Sequence, residues 1–377
     1  MAHLFLSAGD ASGVAIGAQL MRTLKERLPG VTFAGLGGPA MVEEGMRLLY
    51  DPASYSAMWL WGNLRRVPEH IKVLRRCEED WERQRPDAVI AIDYQAFHLF
   101  LGTRARARGL PVVHFVGSQF WGRRYWTLEP ARRAYSHVLL IHEFEKPYYD
   151  AAKIPATYVG YPMFERLRQE SLDPELIGRL RRLPSPRLAL LPGSRRLEIK
   201  SSLPLMLEVA RGLEPRPYLL VSEGHPQKGR RVRRTVARSG LEGEVFSGSL
   251  GEILSAADLA LVTSGSATME AVYHGCPSVI LYRIHPFSYF IAKPHIVGFF
   301  AKPNLIAGRE IVPEFLLGSF NPRPVAEQAR RLLRDASARE EQRRDFAALK
   351  ERLLGGPVPS QAAADVVVRT LRQAAAP

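Results

Sequence analysis

Apolar runs of strand length alternate with helical periodicity through the first half of the chain. His3–Ser7 is one such run. Beyond it Ile16, Leu20, Met21, Leu24 and Leu28 recur at helical spacing, with Ser12 placed to cap that helix. Further strand-length runs are Val31–Leu36, Ala88–Ile92, Val112–Val116, Val138–Ile141 and Thr157–Val159. After Pro68, residues Ile71, Leu74, Cys77 and Trp81 fall on one helical face. Strands alternating with helices predict parallel βαβ units in a doubly wound α/β sheet.

Gly160–Pro162 and then Ser171–Pro186 are polar and proline-containing, as a linker would be. The alternation restarts with strands Leu188–Leu191, Tyr218–Val221, Asp258–Val262 and Ser278–Tyr282, and with helices near Leu203–Leu213 and over Ala267–His274. The expected architecture is two Rossmann-like domains facing across a cleft, 1–165 and 166–350. A terminal helix in 351–377 would pack back on the first domain or on a partner chain.

Composition narrows the class. Hydrophobic residues make up 46% and charged residues 24%, the balance of a packed globular chain. Lys and Arg number 52 against 38 Asp and Glu, a formal charge of +14, which favours anionic partners without naming one. Runs such as Arg230-Arg231, Arg233-Arg234 and Arg343-Arg344 read singly as solvated helix faces. Cys77 and Cys276 form neither a metal-ligand spacing nor a disulfide framework, so a reducing cytoplasm is the expected setting. The opening MAHLFLSAGD lacks the form of a signal peptide, and no apolar run reaches the ~18 residues that span a bilayer.

In open α/β sheets ligands bind beyond the carboxyl ends of strands, which singles out four segments. Gly9, Asp10, Ser12 and Gly13 lie in a small-residue turn that lets backbone N–H groups approach an anion or sugar; the plainer reading is a tight turn with a serine cap. Asp93 follows the strand Ala88–Ile92 and is a candidate general base, or else a turn aspartate. Gly193, Ser194 and Arg195 combine a pliant backbone with a forked cation matched to a diphosphate, without the Gly-Lys-Ser/Thr ending of a nucleotide-triphosphate loop. Ser264, Gly265, Ser266 and Ala267 run from a strand directly into a helix whose N-terminus suits a diphosphate, with Glu270 about one turn inside to accept from ribose hydroxyls. His98, His114 and His142 have no ligand-spaced partners and read as core or surface histidines, so no metal site is expected.

Several segments together resemble lipid-A-disaccharide synthase, an inverting glycosyltransferase of the two-Rossmann GT-B type. They are AGDASG (8–13), GGPAM (37–41), AID (91–93), LLPGSRRLEIK (190–200), SGSATMEAVYHGCP (264–277), YRIHPFSYFIAK (282–293) and PNLIAGREIVPEFL (303–316). The resemblance implies a UDP-linked 2,3-diacylglucosamine donor, a 2,3-diacylglucosamine 1-phosphate acceptor, a β-1,6 disaccharide product and no metal or organic cofactor. It makes Asp93 the general base and places Arg195, the 264–267 turn, Glu270, Asn304 and Arg309 around UDP. It also implies a homodimer.

The sequence departs from that pattern in its first half. Ser12-Gly13-Val14 stands where the family has Ser-Gly-Asp. Tyr94-Gln95-Ala96-Phe97-His98 replaces Ala-Pro-Asp-Phe-Asn, and Ser118-Gln119-Phe120-Trp121-Gly122 replaces Ser-Val-Trp-Ala-Trp. The resemblance therefore supports UDP-sugar use more strongly than it supports the acceptor. Trp59, Leu60 and Trp61, followed by Arg65 and Arg66, suit a membrane–water boundary, so the expected location is the inner face of the cytoplasmic membrane; core packing is the plainer reading of the tryptophans. The residues alone leave open a transferase or epimerase with a soluble substrate and a non-catalytic UDP-sugar or lipid binder. Charge is the sole argument for nucleic acid, and no recognition motif accompanies it.

Overall fold

The computed structural model describes residues 1–51, 67–117, 128–224, 229–283 and 298–375. The chain forms two compact units, Met1–Glu165 together with Leu354–Pro377, and Arg166–Leu353. The first contains β1 (His3–Ala8), α1 (Ala11–Arg27), β2 (Thr32–Leu36), α2 (Pro39–Glu43), β3 (Met46–Tyr50), α3 (Val67–Gln84), β4 (Ala88–Ile92), α4 (Gln95–Ala107), β5 (Val112–Phe115), α5 (Leu128–Ala134), β6 (His137–Leu140), α6 (Lys146–Ala151) and β7 (Ala156–Tyr158). Helix α7 (Pro162–Gln169) carries the chain onward. The second unit contains α8 (Pro174–Arg181), β8 (Arg187–Leu191), α9 (Arg196–Arg211), β9 (Tyr218–Ser222), α10 (Gly229–Ala237), β10 (Gly243–Phe246), α11 (Leu250–Ala256), β11 (Leu259–Thr263), α12 (Ala267–Tyr273), β12 (Ser278–Arg283), α13 (Lys302–Ala307), β13 (Glu314–Leu317), α14 (Arg323–Arg334) and α15 (Ala336–Leu354). The last helix, α16 (Pro359–Ala375), returns to the first unit.

Each unit holds one parallel sheet, ordered β3-β2-β1-β4-β5-β6-β7 in the first and β10-β9-β8-β11-β12-β13 in the second. Strand β4 is apolar at every position, and β1, β8 and β11 are apolar through their middles, because helices cover both faces. In the second unit Leu188, Leu190, Leu259 and Leu261 pack toward α9, α10 and α14, while Ala189, Leu191, Ala260 and Val262 pack toward α8, α11 and α12. This period of two places alternate side chains in two separate cores.

Three strands are not evident as strand-length apolar runs: β3, β10 and β13. All three are sheet edges, where one side lacks a neighbouring strand and half-exposed residues are tolerated. The four residues of β10 are all part-exposed. The 171–186 stretch also differs from a plain linker, since it contains α8. Asp173 caps that helix, its carboxylate accepting from the N–H groups of Glu175 and Leu176, and Pro174 starts it. Leu180 from the same helix is fully buried. In α3 the inward face is Val73, Leu74, Cys77 and Trp81, whereas Ile71 is 39% exposed.

Helix α16 packs along α1. Ala363, Ala364, Val366 and Val367 are buried, the Glu165 carboxylate accepts from the Ser360 N–H and hydroxyl, and Arg27 bonds Gln361. Among the described residues no helix is long and apolar enough to cross a membrane. Trp59, Leu60, Trp61, Arg65 and Arg66 lie outside the described residues, as do 118–127 and 284–297.

Candidate active site

Strand order reverses between β1 and β4 in the first sheet and between β8 and β11 in the second. Such a reversal sends the flanking connections to opposite faces and leaves a crevice at the carboxyl ends of the two strands. The four segments singled out in the sequence are the turns leaving these four strands.

In the first unit Asp10, not Ser12, caps α1. Asp10 is extended, with φ −147°, and its Oδ1 accepts from the Gly13 N–H at 2.8 Å. Ser12 comes too late to cap; it sits exposed in the first helical turn. Gly9 is required by packing, because a Cβ there would lie 2.2 Å from Cγ of Tyr94. The Tyr94 ring thus rests against the first turn, while its hydroxyl bonds His70 Nε2 at 3.1 Å.

Asp93 is half-buried directly after β4, and its N–H extends the ladder to the Phe115 carbonyl at 2.8 Å. Asp93 and Tyr94 both occupy the left-handed region, with φ 55° and 43°. Two successive non-glycine residues there cost on the order of 1–2 kcal/mol each. The offset is visible: the Asp93 carbonyl accepts from His98 Nδ1 at 2.6 Å and from His114 Nε2 at 3.1 Å. A carbonyl can only accept, so both facing nitrogens carry hydrogen, and His98 Nε2 in turn accepts from the Ser7 hydroxyl at 2.8 Å. Burial pushes His98 down to about 3, with His114 adding to the effect, and pushes His114 down to about 4. Both rings are therefore neutral donors near pH 7. These histidines, read from sequence as core or surface residues, fix the backbone that presents the Asp93 carboxylate. His98 occupies the position where the resembling family carries asparagine, another side chain that can donate to a carbonyl, and that was the available signal.

In the second unit Gly193 has φ 91° and faces Glu198, whose Oε2 would lie 2.6 Å from an added Cβ. Glu198 accepts from the Arg195 N–H at 3.1 Å and from the Arg195 guanidinium at 3.1 Å. The acid thus anchors the start of α9 while leaving the Arg195 side chain 69% exposed. Ser264 extends β11 by donating to the Leu281 carbonyl at 3.0 Å. Gly265 and Ser266 are exposed, and the Ser266 side chain makes no capping bond, so the serine cap expected of a plain helix start is absent. Thr268 bonds back to the Gly265 carbonyl instead. Among the described residues Gly265 also has room for a side chain, the nearest atom being 3.9 Å from an added Cβ, so their packing does not demand glycine there. Burial pushes the Glu270 carboxyl up, countered by Arg166 at 3.7 Å.

Among the described residues, Asn304 and Arg309 make no hydrogen bond or ion pair with these turns. They precede β13, whose first residue, Glu314, pairs with Ile280 and so stands in register with Val262 and Leu191 near the ends of β11 and β8. Asn304 is fully buried. It donates to the Val312 carbonyl and Glu314, and accepts from the Ile311 and Val312 N–H groups, so its amide is spent on holding the entry to β13. Arg309 makes a two-pronged pair with Asp345 of α15 at 2.9 and 2.5 Å. The motif around them braces an edge strand.

Solved glycosyltransferases share this two-sheet architecture. A MurG of Acinetobacter baumannii aligns over 98% of this chain and 100% of its own, with TM-score 0.60 and 15% identity. Anabaena HepE, solved with UDP and glucose, aligns over 99% and 100%, with TM-score 0.57 and 14% identity. Two doubly wound units of this kind, each with its strand reversal, make the GT-B fold. The family model described as lipid-A-disaccharide synthetase matches residues 4–360. A lipid-A-disaccharide synthase of Myxococcus xanthus is 32% identical over 356 residues, covering 93% of each chain. One of Anaeromyxobacter dehalogenans is 33% identical over 380 residues, covering 98% of each. The chain belongs to the lipid-A-disaccharide synthase family and is a hexosyltransferase.

Proposed function

We propose that the protein transfers 2,3-diacylglucosamine from its UDP derivative to 2,3-diacylglucosamine 1-phosphate, with inversion, to give a β-1,6-linked disaccharide 1-phosphate and UDP. Acceptor O6 forms the new bond to the donor's anomeric carbon as the bond from that carbon to the diphosphate breaks. The hydroxyl proton passes to Asp93, and UDP leaves with the electron pair. Family membership supports the substrates, and the Asp93 geometry supports the base: two neutral histidines hold its backbone in a strained conformation that the chain alone would disfavour.

Gly193, Ser194, Arg195, the 264–267 turn and Glu270 are the proposed UDP site. The observation that carries this reading is the space that the described residues leave open at Gly265, beside a helix start whose Ser266 side chain makes no capping bond; both suit a close backbone approach to a diphosphate. Charge developing on the leaving group is stabilised there by Arg195 and the helix N-terminus without a metal ion. The protein acts as a peripheral enzyme on the inner face of the cytoplasmic membrane, where acylated substrates reside.

The test is direct. Purified protein incubated with both acylated substrates should yield disaccharide, undiminished by a metal chelator, and Asp93→Ala should lower kcat by roughly 10²–10⁴. Turnover of unacylated UDP-sugars in place of the acylated pair, or UDP binding with no product, would overturn the substrate assignment.

A further inference from the structure

The arginines of α10, unremarkable one run at a time in the sequence, gather in the structure. Arg230, Arg231, Arg234 and Arg238 line a groove of about 520 Å³ with Arg196 from the start of α9, over a floor that includes Ile199. All five arginines are exposed, and among the described residues none pairs with a carboxylate. The neighbouring Arg233 shows the contrast, being bound to the buried Glu223 at 2.6 Å. Helix α15 shows it again: Arg343 pairs with Glu340, and acids are interspersed along its length. A face that needs only solvation mixes signs in that way. Helix α10 has no acidic residue at all. Val232 and Val236 anchor its apolar side in the core, which fixes the arginine side outward.

We propose that this groove is a docking surface for the phosphate groups of an anionic lipid bilayer. Arg230 to Arg238 spans about 12 Å of helix, two turns of outward-facing cations. A single soluble phosphate is held by donors converging in a recess, whereas these guanidinium groups are spread along an exposed face and match several anions side by side. Guanidinium forks suit phosphate oxygens better than ammonium groups do. The inference rests on the surface-association part of the proposed function and identifies the surface responsible; it requires no sugar transfer.

Sedimentation of the full chain with phosphatidylcholine vesicles, with and without phosphatidylglycerol, tests it. The wild type should bind the anionic vesicles at low salt and release as salt rises. R231E/R234E/R238E should bind at least about a hundredfold more weakly, since each basic residue near an anionic surface contributes about fivefold. R83E/R106E/R344E lowers the formal charge equally and should keep most of its binding. The milder R231Q/R234Q/R238Q, with an unchanged melting temperature, should fall between the wild type and the charge-reversed groove variant. Failure of the wild type to bind would remove surface association altogether. Wild-type binding matched by the groove variant, equal losses in both charge-reversed triples, or release by millimolar inorganic phosphate would overturn the groove assignment alone.

Discussion

Glycines at three strand ends look alike as letters and differ in what the structure asks of them. Gly9 is enforced by the Tyr94 ring and Gly193 by a positive φ beside Glu198, whereas Gly265 is enforced by nothing among the described residues. Gly265→Ala should therefore leave the melting temperature unchanged and weaken UDP binding at least about tenfold, ~1.4 kcal/mol. Gly9→Ala should destabilise by about 1–3 kcal/mol in urea titration, because Tyr94 must move. Asn304→Ala should also destabilise, by about 1–3 kcal/mol for the stranded buried partners, while KM for the UDP-sugar stays at its wild-type value. The sequence identified these positions but not their duties, since Tyr94 and Glu314 supply the constraint through contacts that no local pattern reveals. Asn304 and Arg309 were placed near UDP by resemblance alone, and in the structure their side chains are engaged by the entry to β13 and by Asp345.

At the scale of elements, the most legible parts were the central strands, whose burial on both faces requires uninterrupted apolar runs. Edge strands and α8 were obscured because partial exposure admits polar residues. The junction of β4, β5 and α4 has a consequence for pH. His98 and His114 titrate well below the unfolded value of about 6.5, so the unfolded chain binds more protons as pH falls through the interval from there to about 3–4. Their contribution to stability is fully present above pH ~6.5 and declines through that interval. Denaturant midpoints should fall between pH 7 and pH 5, and His98→Asn should flatten that slope. An equally steep slope in the variant would show that other groups set it. Helix α16 supplies buried Ala363, Ala364, Val366 and Val367 to the first unit. Ending the chain before Pro359 should uncover α1 and give insoluble protein, whereas a short exposed tag after Pro377 should be tolerated.

For the whole molecule, the same device occurs twice: a parallel sheet whose strand order reverses, with the proposed site residues on the turns beside the reversal. The alternation of strands and helices made two such units legible, and the strand-end rule then located the turns without structural information. The central claim is that the second unit's reversal, through Arg195, Gly265 and Glu270, holds the uridine diphosphate. Calorimetric titration with UDP tests it most directly, comparing the wild type with Arg195→Ala, Gly265→Ala and Arg309→Ala. The account predicts measurable wild-type binding, at least about tenfold loss in the first two variants, and wild-type affinity in the third. No association with the wild type, or a loss confined to Arg309→Ala, would contradict it.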